Sequence, residues 1–246
     1  MNAQNGKVAL VTGASRGIGA AIAQRLAHDG FAIIVNYAGN HAAAETVVNA
    51  IQAKGGQALA VQGDVAATAA VRALFDAAEA RFGGVDVLVN NAGIFKPAPI
   101  ASSDDALFDS HIAINIKGSF NTMREAANRL RHGGRVINFS TSVVGLKLEN
   151  YAIYAATKAA VETMGAIMAK EMRGRGITVN AVAPGPTATD LFLDGKSPEL
   201  IDRLAKLSPM ERLATPDDIA AVVAFLAGPD GAWINGQVLR ANGGMV

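Results

Sequence analysis

Tyr154 and Lys158 lie four residues apart, so a helix through this segment would place a phenol and an ammonium group on one face. An isolated tyrosine, with a pKa of about 10, keeps its proton at neutral pH, whereas a nearby positive charge favours the phenolate. The pair therefore predicts a phenol that gives and takes a proton during a reaction. The same spacing also occurs in ordinary surface pairs, so the prediction depends on the elements around it.

The composition is that of a globular, enzyme-like chain, because half of the 246 residues are hydrophobic and 17% are charged. A formal net charge of +1 gives no reason to expect nucleic acid as a partner. The absence of cysteine excludes disulfides, thiolate metal sites and cysteine nucleophiles, and no metal site is expected. The N-terminus shows no signal pattern, and the longest apolar run, 219–227, falls short of the roughly 18 residues that span a membrane. We therefore predict a cytoplasmic protein without a membrane partner.

Short β-branched runs alternate along the chain with longer alanine-rich segments, which is typical of alternating strands and helices. Six strands are predicted directly, at 8–11, 32–35, 58–61, 85–89, 135–139 and 177–182. Because these strands are continuously apolar, we expect them to be buried on both faces, in a parallel sheet covered by helices.

One long helix stands out, predicted from Asp104 to Leu130 with Ser102 or Ser103 as its cap. No linker or break in composition divides the chain. We therefore predict a single α/β domain over 1–246. The segment at about 186–214 departs from the strand–helix alternation and is interpreted as a small lid before the last helix.

The first predicted strand is followed directly by a glycine-rich turn that leads into a helix, Thr12-Gly13-Ala14-Ser15-Arg16-Gly17-Ile18-Gly19. Glycine permits the tight turn and lets the backbone approach a pyrophosphate, while the helix N-terminus attracts the anion. Many strand-to-helix turns contain glycine for steric reasons alone, but a strand before and a helix after favour a dinucleotide site. The residues expected to contact the cofactor are Gly13, Ser15, Arg16, Gly17, Ile18 and Gly19.

The end of the second strand indicates which dinucleotide is bound. NAD sites typically place a carboxylate there for the ribose 2′-hydroxyl, whereas this chain has Asn36 followed by Tyr37. Arg16 is available to pair with a 2′-phosphate, although it also fits a solvated loop position. We therefore predict NADP(H) as the cofactor, with Asn36 and Arg16 in its site.

Further motifs occur in a fixed order, and with the glycine turn and the Tyr154–Lys158 pair they make the chain resemble the classical short-chain dehydrogenases/reductases. They are Asp64-Val65, Asn90-Asn91-Ala92-Gly93, Asn115, Ser142 and Pro184-Gly185. The likeness covers essentially the whole chain and is greatest to 3-oxoacyl-(acyl carrier protein) reductases. It implies a Rossmann-type, doubly wound sheet of seven parallel strands in the order 3-2-1-4-5-6-7.

The resemblance also implies roles for individual residues. Tyr154 would give its proton to a carbonyl oxygen, and Lys158 would lower the pKa of that phenol and bind the nicotinamide ribose. Ser142 would hold the substrate oxygen, and Asn115 would seat a water that links Lys158 to solvent. The further cofactor contacts that it implies are Asp64, Val65, Asn91, Ala92, Gly93, Pro184, Gly185, Thr187 and Thr189.

Ser142 is selected from three candidate hydroxyls, Ser140, Thr141 and Ser142. The segment Ser-Val-Val-Gly at 142–145 looks like the catalytic serine segment of the family. Ser142 lies 12 residues before Tyr154, where relatives commonly show 13, so the loop between them looks one residue short. Ser140 is the weaker alternative. Tyr151 has Ala155 four residues on, which supplies no charge, and it is interpreted as a pocket or packing residue.

The substrate is less well determined. An apolar stripe around the expected pocket favours an apolar or aromatic carbonyl, if it faces the ligand. The first reading is a 3-oxoacyl-(acyl carrier protein) reductase, whose acidic partner would dock on Arg129, Arg131, Arg173 and Arg175. Solvated cations at helix ends, favoured by the helix dipole, explain these arginines equally well. The alternative is a general NADPH-dependent ketone, quinone or polyhydroxynaphthalene-type reductase, and a remote third reading is a non-catalytic nucleotide sensor. The resemblance implies a homotetramer.

Overall fold

Seven parallel strands form one sheet in the computed structural model, which describes residues 6–246. They are β1 (Val8–Val11), β2 (Ala32–Tyr37), β3 (Ala58–Gln62), β4 (Val85–Asn90), β5 (Leu130–Phe139), β6 (Thr178–Pro184) and β7 (Val238–Ala241). The spatial order β3-β2-β1-β4-β5-β6-β7 confirms the predicted doubly wound, Rossmann-type topology. β5 begins earlier than predicted, because Leu130 pairs with Val85 of β4.

The middle of the sheet is β1, which is buried along its whole length between β2 and β4. Val11 stands opposite both Val35 and Val89, so these strands end at nearly the same level. Since all strands are parallel, the segments that follow them collect at one edge of the sheet. The glycine turn and the chain after β4, β5 and β6 meet there.

Helices cover both faces of the sheet, and two hydrophobic clusters lie between them and the strands. Ala9 and Val11 belong to one cluster, Val8 and Leu10 to the other, as the alternation of side chains along a strand requires. The helices are α1 (Gly17–His28), α2 (His41–Gln52), α3 (Thr68–Phe82), α4 (Asp105–His111), α5 (Ser119–Arg129), α6 (Val143–Leu146), α7 (Ala152–Glu171), α8 (Asp190–Leu193), α9 (Pro198–Ala205) and α10 (Pro216–Ala227). None of the helices found within residues 6–246 combines the length and the apolarity needed to cross a bilayer.

The predicted long helix is present, but its middle is a π-helical segment, Ile112–Gly118, that joins α4 to α5. Its cap is Asp104, whose carboxylate accepts a hydrogen bond from Leu107 N at 2.7 Å. The prediction of Ser102 or Ser103 as the cap is wrong, because Ser102 belongs to a preceding 3₁₀ turn and the Ser103 hydroxyl donates to Pro99 O.

The segment predicted as a lid, 186–214, leaves the sheet after β6 and carries α8 and α9. Its ends are tied together, since Ala188 N donates to Ala214 O (2.8 Å) and Ala214 N donates to Pro186 O (2.9 Å). The insert is therefore rooted at one point beside the edge of the sheet where the strand ends meet.

Candidate active site

The glycine turn has the shape that a pyrophosphate cradle requires. Gly13 and Gly17 have φ values of +61° and +55°, in the left-handed region that glycine favours. A Cβ on Gly19 would lie 2.4 Å from Gly13 O and 2.5 Å from the Asn91 amide nitrogen, so only glycine fits. The first N–H groups of α1 have no acceptor within the helix and open onto this turn. The residues present fit a bound dinucleotide phosphate.

Thr12 and Asn91 fix this turn against the end of β4. The Thr12 hydroxyl accepts hydrogen bonds from Asn91 N (3.1 Å) and Ala92 N (3.0 Å). The Asn91 side chain donates to Thr12 O and Gly13 O, both at 3.0 Å. Asn91 and Ala92 are thus placed along the predicted cofactor site, and Thr12 is a positioning residue that the sequence did not single out, although it directly precedes the first glycine.

Asn36 is a predicted cofactor contact whose side chain is bonded within the chain. It is 1% exposed; its amide oxygen accepts from Gly13 N (3.2 Å) and its amide nitrogen donates to Gly63 O (2.9 Å). These bonds join the end of β2 to the glycine turn and the end of β3. The side chain of Asn36 therefore shapes the turn, and its contact with a nucleotide stays a prediction, whereas Arg16 is exposed.

The other predicted cofactor residues lie at the same edge of the sheet. Val65 is buried behind the exposed Asp64, after β3. A Cβ on Gly17 would lie 3.4 Å from the Thr189 side chain, so the start of the insert covers the glycine turn. The cavity at this edge is also lined by Ile18, Asn91, Gly93, Pro184, Gly185 and Thr187.

Lys158 lies on α7 with Tyr154, as predicted, but its ammonium group is turned toward the sheet. Nζ donates to Phe139 O at 2.9 Å and lies 5.9 Å from the centroid of the Tyr154 ring. The residue is 4% exposed, and burial lowers the pKa of its ammonium to about 8. Lys158 therefore joins the helix that carries the phenol to the end of β5.

Tyr154 holds its proton across the neutral range. Burial raises the pKa of the phenol to about 12, and a hydrogen bond donated by Thr141 offsets this rise only in part. Lys158 makes no evident contribution to this pKa in the structure, where its ammonium donates to Phe139 O, and its predicted effect on the phenol stays a prediction. At pH 7 the phenol therefore carries its proton.

Asn115 stands in the π-helical segment and holds the chain after β4. Its Oδ1 accepts from Ile94 N (2.9 Å), and its Nδ2 donates to Ile94 O (3.0 Å) and to the Thr157 hydroxyl (3.1 Å). A Cβ on Gly93 would lie 3.2 Å from Oδ1 of Asn115 and 3.3 Å from Nζ of Lys158. The missing side chain of Gly93 keeps a methyl group away from both polar atoms, and the water predicted to link Lys158 to solvent stays a prediction.

His111 is a further positioning residue that the sequence did not indicate. It is fully buried, its Nδ1 lies 2.9 Å from Leu107 O, and its Nε2 accepts from Lys96 N at 3.3 Å. With Asn115 it holds both sides of Phe95. The one available signal was its position, four residues before Asn115 on the same helix.

The three candidate hydroxyls after β5 all line the cavity but point to different partners. The Ser140 hydroxyl donates to the carboxylate of Glu162, and the Ser142 hydroxyl donates to Ala183 O at 3.2 Å. Thr141 is the hydroxyl that faces Tyr154.

The cavity beside Tyr154 is mainly apolar and encloses about 230 Å³. Phe95 packs edge-on against Tyr154, with ring centroids 4.9 Å apart, and lies 5.0 Å from the ring of Tyr151. The remaining apolar wall comes from the insert, from the segment after β5 and from the chain after β7: Leu146, Leu148, Leu191, Phe192, Leu204, Leu207 and Met245.

Three of the four arginines predicted to dock a carrier protein are engaged within the chain. Arg129 forms ion pairs with Asp76, Glu79 and Glu125. Arg131 pairs with Asp86 at 2.9 Å, and Arg175 donates to the carbonyls of Ala127 and Leu130. These internal bonds give the three arginines a structural role that needs no external partner.

Comparison with known proteins agrees with this geometry. A family model described as enoyl-(acyl carrier protein) reductase matches residues 13–246. An "NADPH-dependent aldehyde reductase-like protein, chloroplastic" of Arabidopsis thaliana is 46% identical over 98% of this chain and 94% of its own length, and a "probable tetrahydroxynaphthalene reductase" of Zymoseptoria tritici is 41% identical over 97% and 94%. The crystal structure of a short-chain dehydrogenase from Burkholderia cenocepacia in complex with NADP superimposes with a TM-score of 0.93, at 39% identity over 99% of each chain. The chain belongs to the short-chain dehydrogenase/reductase family.

Proposed function

We propose that the protein reduces apolar, ring-containing ketones, quinones or aldehydes with NADPH, and that Tyr154 is the proton donor. One observation carries the proposal: a phenol that keeps its proton at neutral pH lies beside a dinucleotide cradle, in a cavity lined by aromatic and aliphatic side chains. An acid at this place supplies the proton that a carbonyl oxygen needs when its carbon is reduced.

NADP(H) is the cofactor predicted from the second strand, and the relatives agree. The Arabidopsis protein is described as NADPH-dependent, and the Burkholderia structure contains NADP. The glycine turn would hold the pyrophosphate, Arg16 the 2′-phosphate, and Asp64 with Val65 would line the adenine side. When bound, the reduced nicotinamide supplies a hydride to the carbonyl carbon.

Each side chain of the site then has a separate task. Tyr154 donates its proton to the carbonyl oxygen as negative charge develops there. Lys158, held at Phe139 O, stays near the phenol and is placed to bind the nicotinamide ribose. Asn115 and the space at Gly93 connect Lys158 to a bridging water, through which the proton lost by Tyr154 is replaced.

The size and polarity of the cavity favour a ring-containing carbonyl over an acyl chain on a carrier protein. Phe95 and Tyr151 offer flat ring faces beside the phenol, and such pairs stack well on aromatic ligands. Three of the four predicted carrier-docking arginines are engaged in internal ion pairs and backbone contacts. The Zymoseptoria relative is described as a probable tetrahydroxynaphthalene reductase, which also supports the alternative prediction over the carrier-linked one.

A substrate panel tests the proposal. NADPH oxidation is followed at neutral pH with bicyclic ketones, quinones, aromatic aldehydes and acetoacetyl carrier protein, using Tyr154→Phe as the background for non-enzymatic quinone reduction. We expect kcat/KM on at least one ring compound to exceed that on the carrier-linked substrate by about tenfold or more. The reverse order would favour the 3-oxoacyl reductase, and no NADPH oxidation with any carbonyl would contradict the proposed function.

Replacing Arg16 by alanine should change the cofactor preference. If its guanidinium pairs with the 2′-phosphate, the loss of a charge-assisted bond lowers kcat/KM for NADPH by roughly 10–100-fold and leaves that for NADH nearly unchanged. The measurement is the ratio of the two efficiencies with one ketone. Arg25→Ala is a matched control, since Arg25 lies on α1 and pairs with Asp29. An unchanged ratio in Arg16→Ala would show that the residue is only a solvated loop residue.

A cytoplasmic location and a homotetramer stay part of the proposal. Large apolar side chains are exposed beside β7 and on the long helices: Trp233 at 96%, Ile167 at 51%, Phe120 at 46% and Phe225 at 42%. Exposed apolar surface of this kind supports contact between copies of the chain. Sedimentation of the purified protein tests the oligomeric state.

A further inference from the structure

We propose that Thr141, and not Ser142, is the side chain that donates a hydrogen bond to the carbonyl oxygen of the substrate beside Tyr154. The inference rests on the proposed carbonyl reduction and assigns one of its catalytic residues. It differs from the sequence prediction, which selected Ser142 from the likeness of the segment 142–145 to the catalytic serine segment of the family.

The backbone after β5 follows the sheet as far as Ser142. Ser140 N donates to Val182 O (2.8 Å) and Ser142 N donates to Pro184 O (2.9 Å), so the chain stays paired with β6. At Ser142 the backbone turns into α6, with φ −60° and ψ −19°. All three side chains line the cavity, and their hydrogen-bond partners separate them.

The hydroxyls of Ser140 and Ser142 are already occupied. Ser140 donates to the carboxylate of Glu162 on α7. Ser142 donates to Ala183 O and accepts from the Asn242 amide nitrogen at 2.9 Å. A serine hydroxyl has a single hydrogen to donate, so neither residue has one left for a substrate.

Through Asn242, Ser142 has a different task. The amide oxygen of Asn242 accepts from Gly244 N (3.1 Å) and Met245 N (3.2 Å), and Met245 lines the cavity. Ser142 thus holds one wall of the cavity and is a positioning residue.

The hydroxyl hydrogen of Thr141 is directed to the Tyr154 phenol, and a substrate oxygen beside that phenol can accept it instead. Its Oγ1 accepts from Val143 N at 3.3 Å, which leaves its own hydrogen available for donation. The side chain lines the cavity and faces the phenol of Tyr154. It also lies 13 residues before Tyr154, which is the spacing that the resemblance implies, whereas Ser142 lies 12 residues before it.

Three variants test the assignment on a ketone that the wild type reduces. We expect Thr141→Val to lower kcat and kcat/KM together by about 10²–10³-fold, because the hydroxyl stabilises charge that develops only in the transition state. Thr141→Ser keeps the hydroxyl and should retain activity within about tenfold of the wild type. Ser142→Ala should raise KM more than it lowers kcat, since it loosens the wall that contains Met245.

Thermal melting and NADPH binding identify any variant that fails to fold, and Thr141→Ala then serves as the second hydroxyl-free variant. A collapse of kcat in Ser142→Ala, with near wild-type kcat in Thr141→Val, would overturn the assignment. This failure is distinct from failure of the proposed function, in which the wild type itself oxidises no NADPH with any carbonyl.

Discussion

Tyr154→Phe is expected to remove nearly all turnover, by roughly 10²–10⁴-fold in kcat, while NADPH binding is retained. The change deletes one oxygen from a side chain whose ring still packs against Phe95, so the cavity keeps its shape. What is lost is the proton that the carbonyl oxygen must receive. Steady-state kcat with a ring ketone, and fluorescence titration with NADPH, measure the two effects separately.

Tyr151→Phe is the matched control, because it removes the same atom from the same cavity. Tyr151 also lies against Phe95 but has no lysine four residues further along the chain. We expect it to alter KM for aromatic substrates and to leave most of kcat. Appreciable kcat in Tyr154→Phe would contradict the assignment of the proton donor.

Lys158→Ala is expected to impair both turnover and cofactor binding, because one ammonium group would serve the ribose and the proton supply. We expect kcat to fall by about 100-fold or more and the Kd for NADPH to rise by roughly tenfold. In the wild type, burial lowers the pKa of Lys158 to about 8, so its charge is present below pH 8 and lost as the pH rises through that value. NADPH affinity should therefore decline between pH 7 and 9 in the wild type and show no such step in the variant.

Lys170→Ala provides the control on the same helix, at an exposed position. It should leave kcat, Kd and their pH dependence close to those of the wild type. A Lys158→Ala protein that loses turnover but binds NADPH normally would argue against the ribose contact and leave only the role in proton supply.

The strands and the glycine turn were predictable because they depend on local patterns. Apolar runs between alanine-rich segments indicate buried parallel strands, and left-handed φ values explain Gly13 and Gly17. The π-helical segment was not predictable, because it depends on contacts between distant parts of the chain. Gly118 lies so close to Val65 that a Cβ would be 2.6 Å from its side chain, and Asn115 is bound to Ile94.

For the candidate site, the sequence predicted the positions of residues better than the directions of their side chains. The positions of Tyr154 and Lys158 followed from helical spacing, but the direction of the ammonium did not, since Phe139 O is its partner only in the folded sheet. Among residues 140–142, the likeness of segment 142–145 to the family motif selects Ser142, whereas a spacing of 13 residues before Tyr154 selects Thr141. Their hydrogen bonds to β6, to Glu162 and to Ala183 decide the orientation of each side chain, and no local pattern contains that information.

Part of the cavity wall and the proposed proton chemistry come from different parts of the chain. Tyr154 and Lys158 stand on α7, fixed to the sheet at Phe139 O, whereas Leu191 and Leu207 belong to an insert that joins the molecule at one tied base. In the proposed function, the insert would therefore influence which substrate is bound, and α7 would carry the groups that react. The insert can diverge in sequence and admit a new ketone while the reaction centre stays intact, so this scaffold is a practical starting point for engineering reductases with altered substrate range.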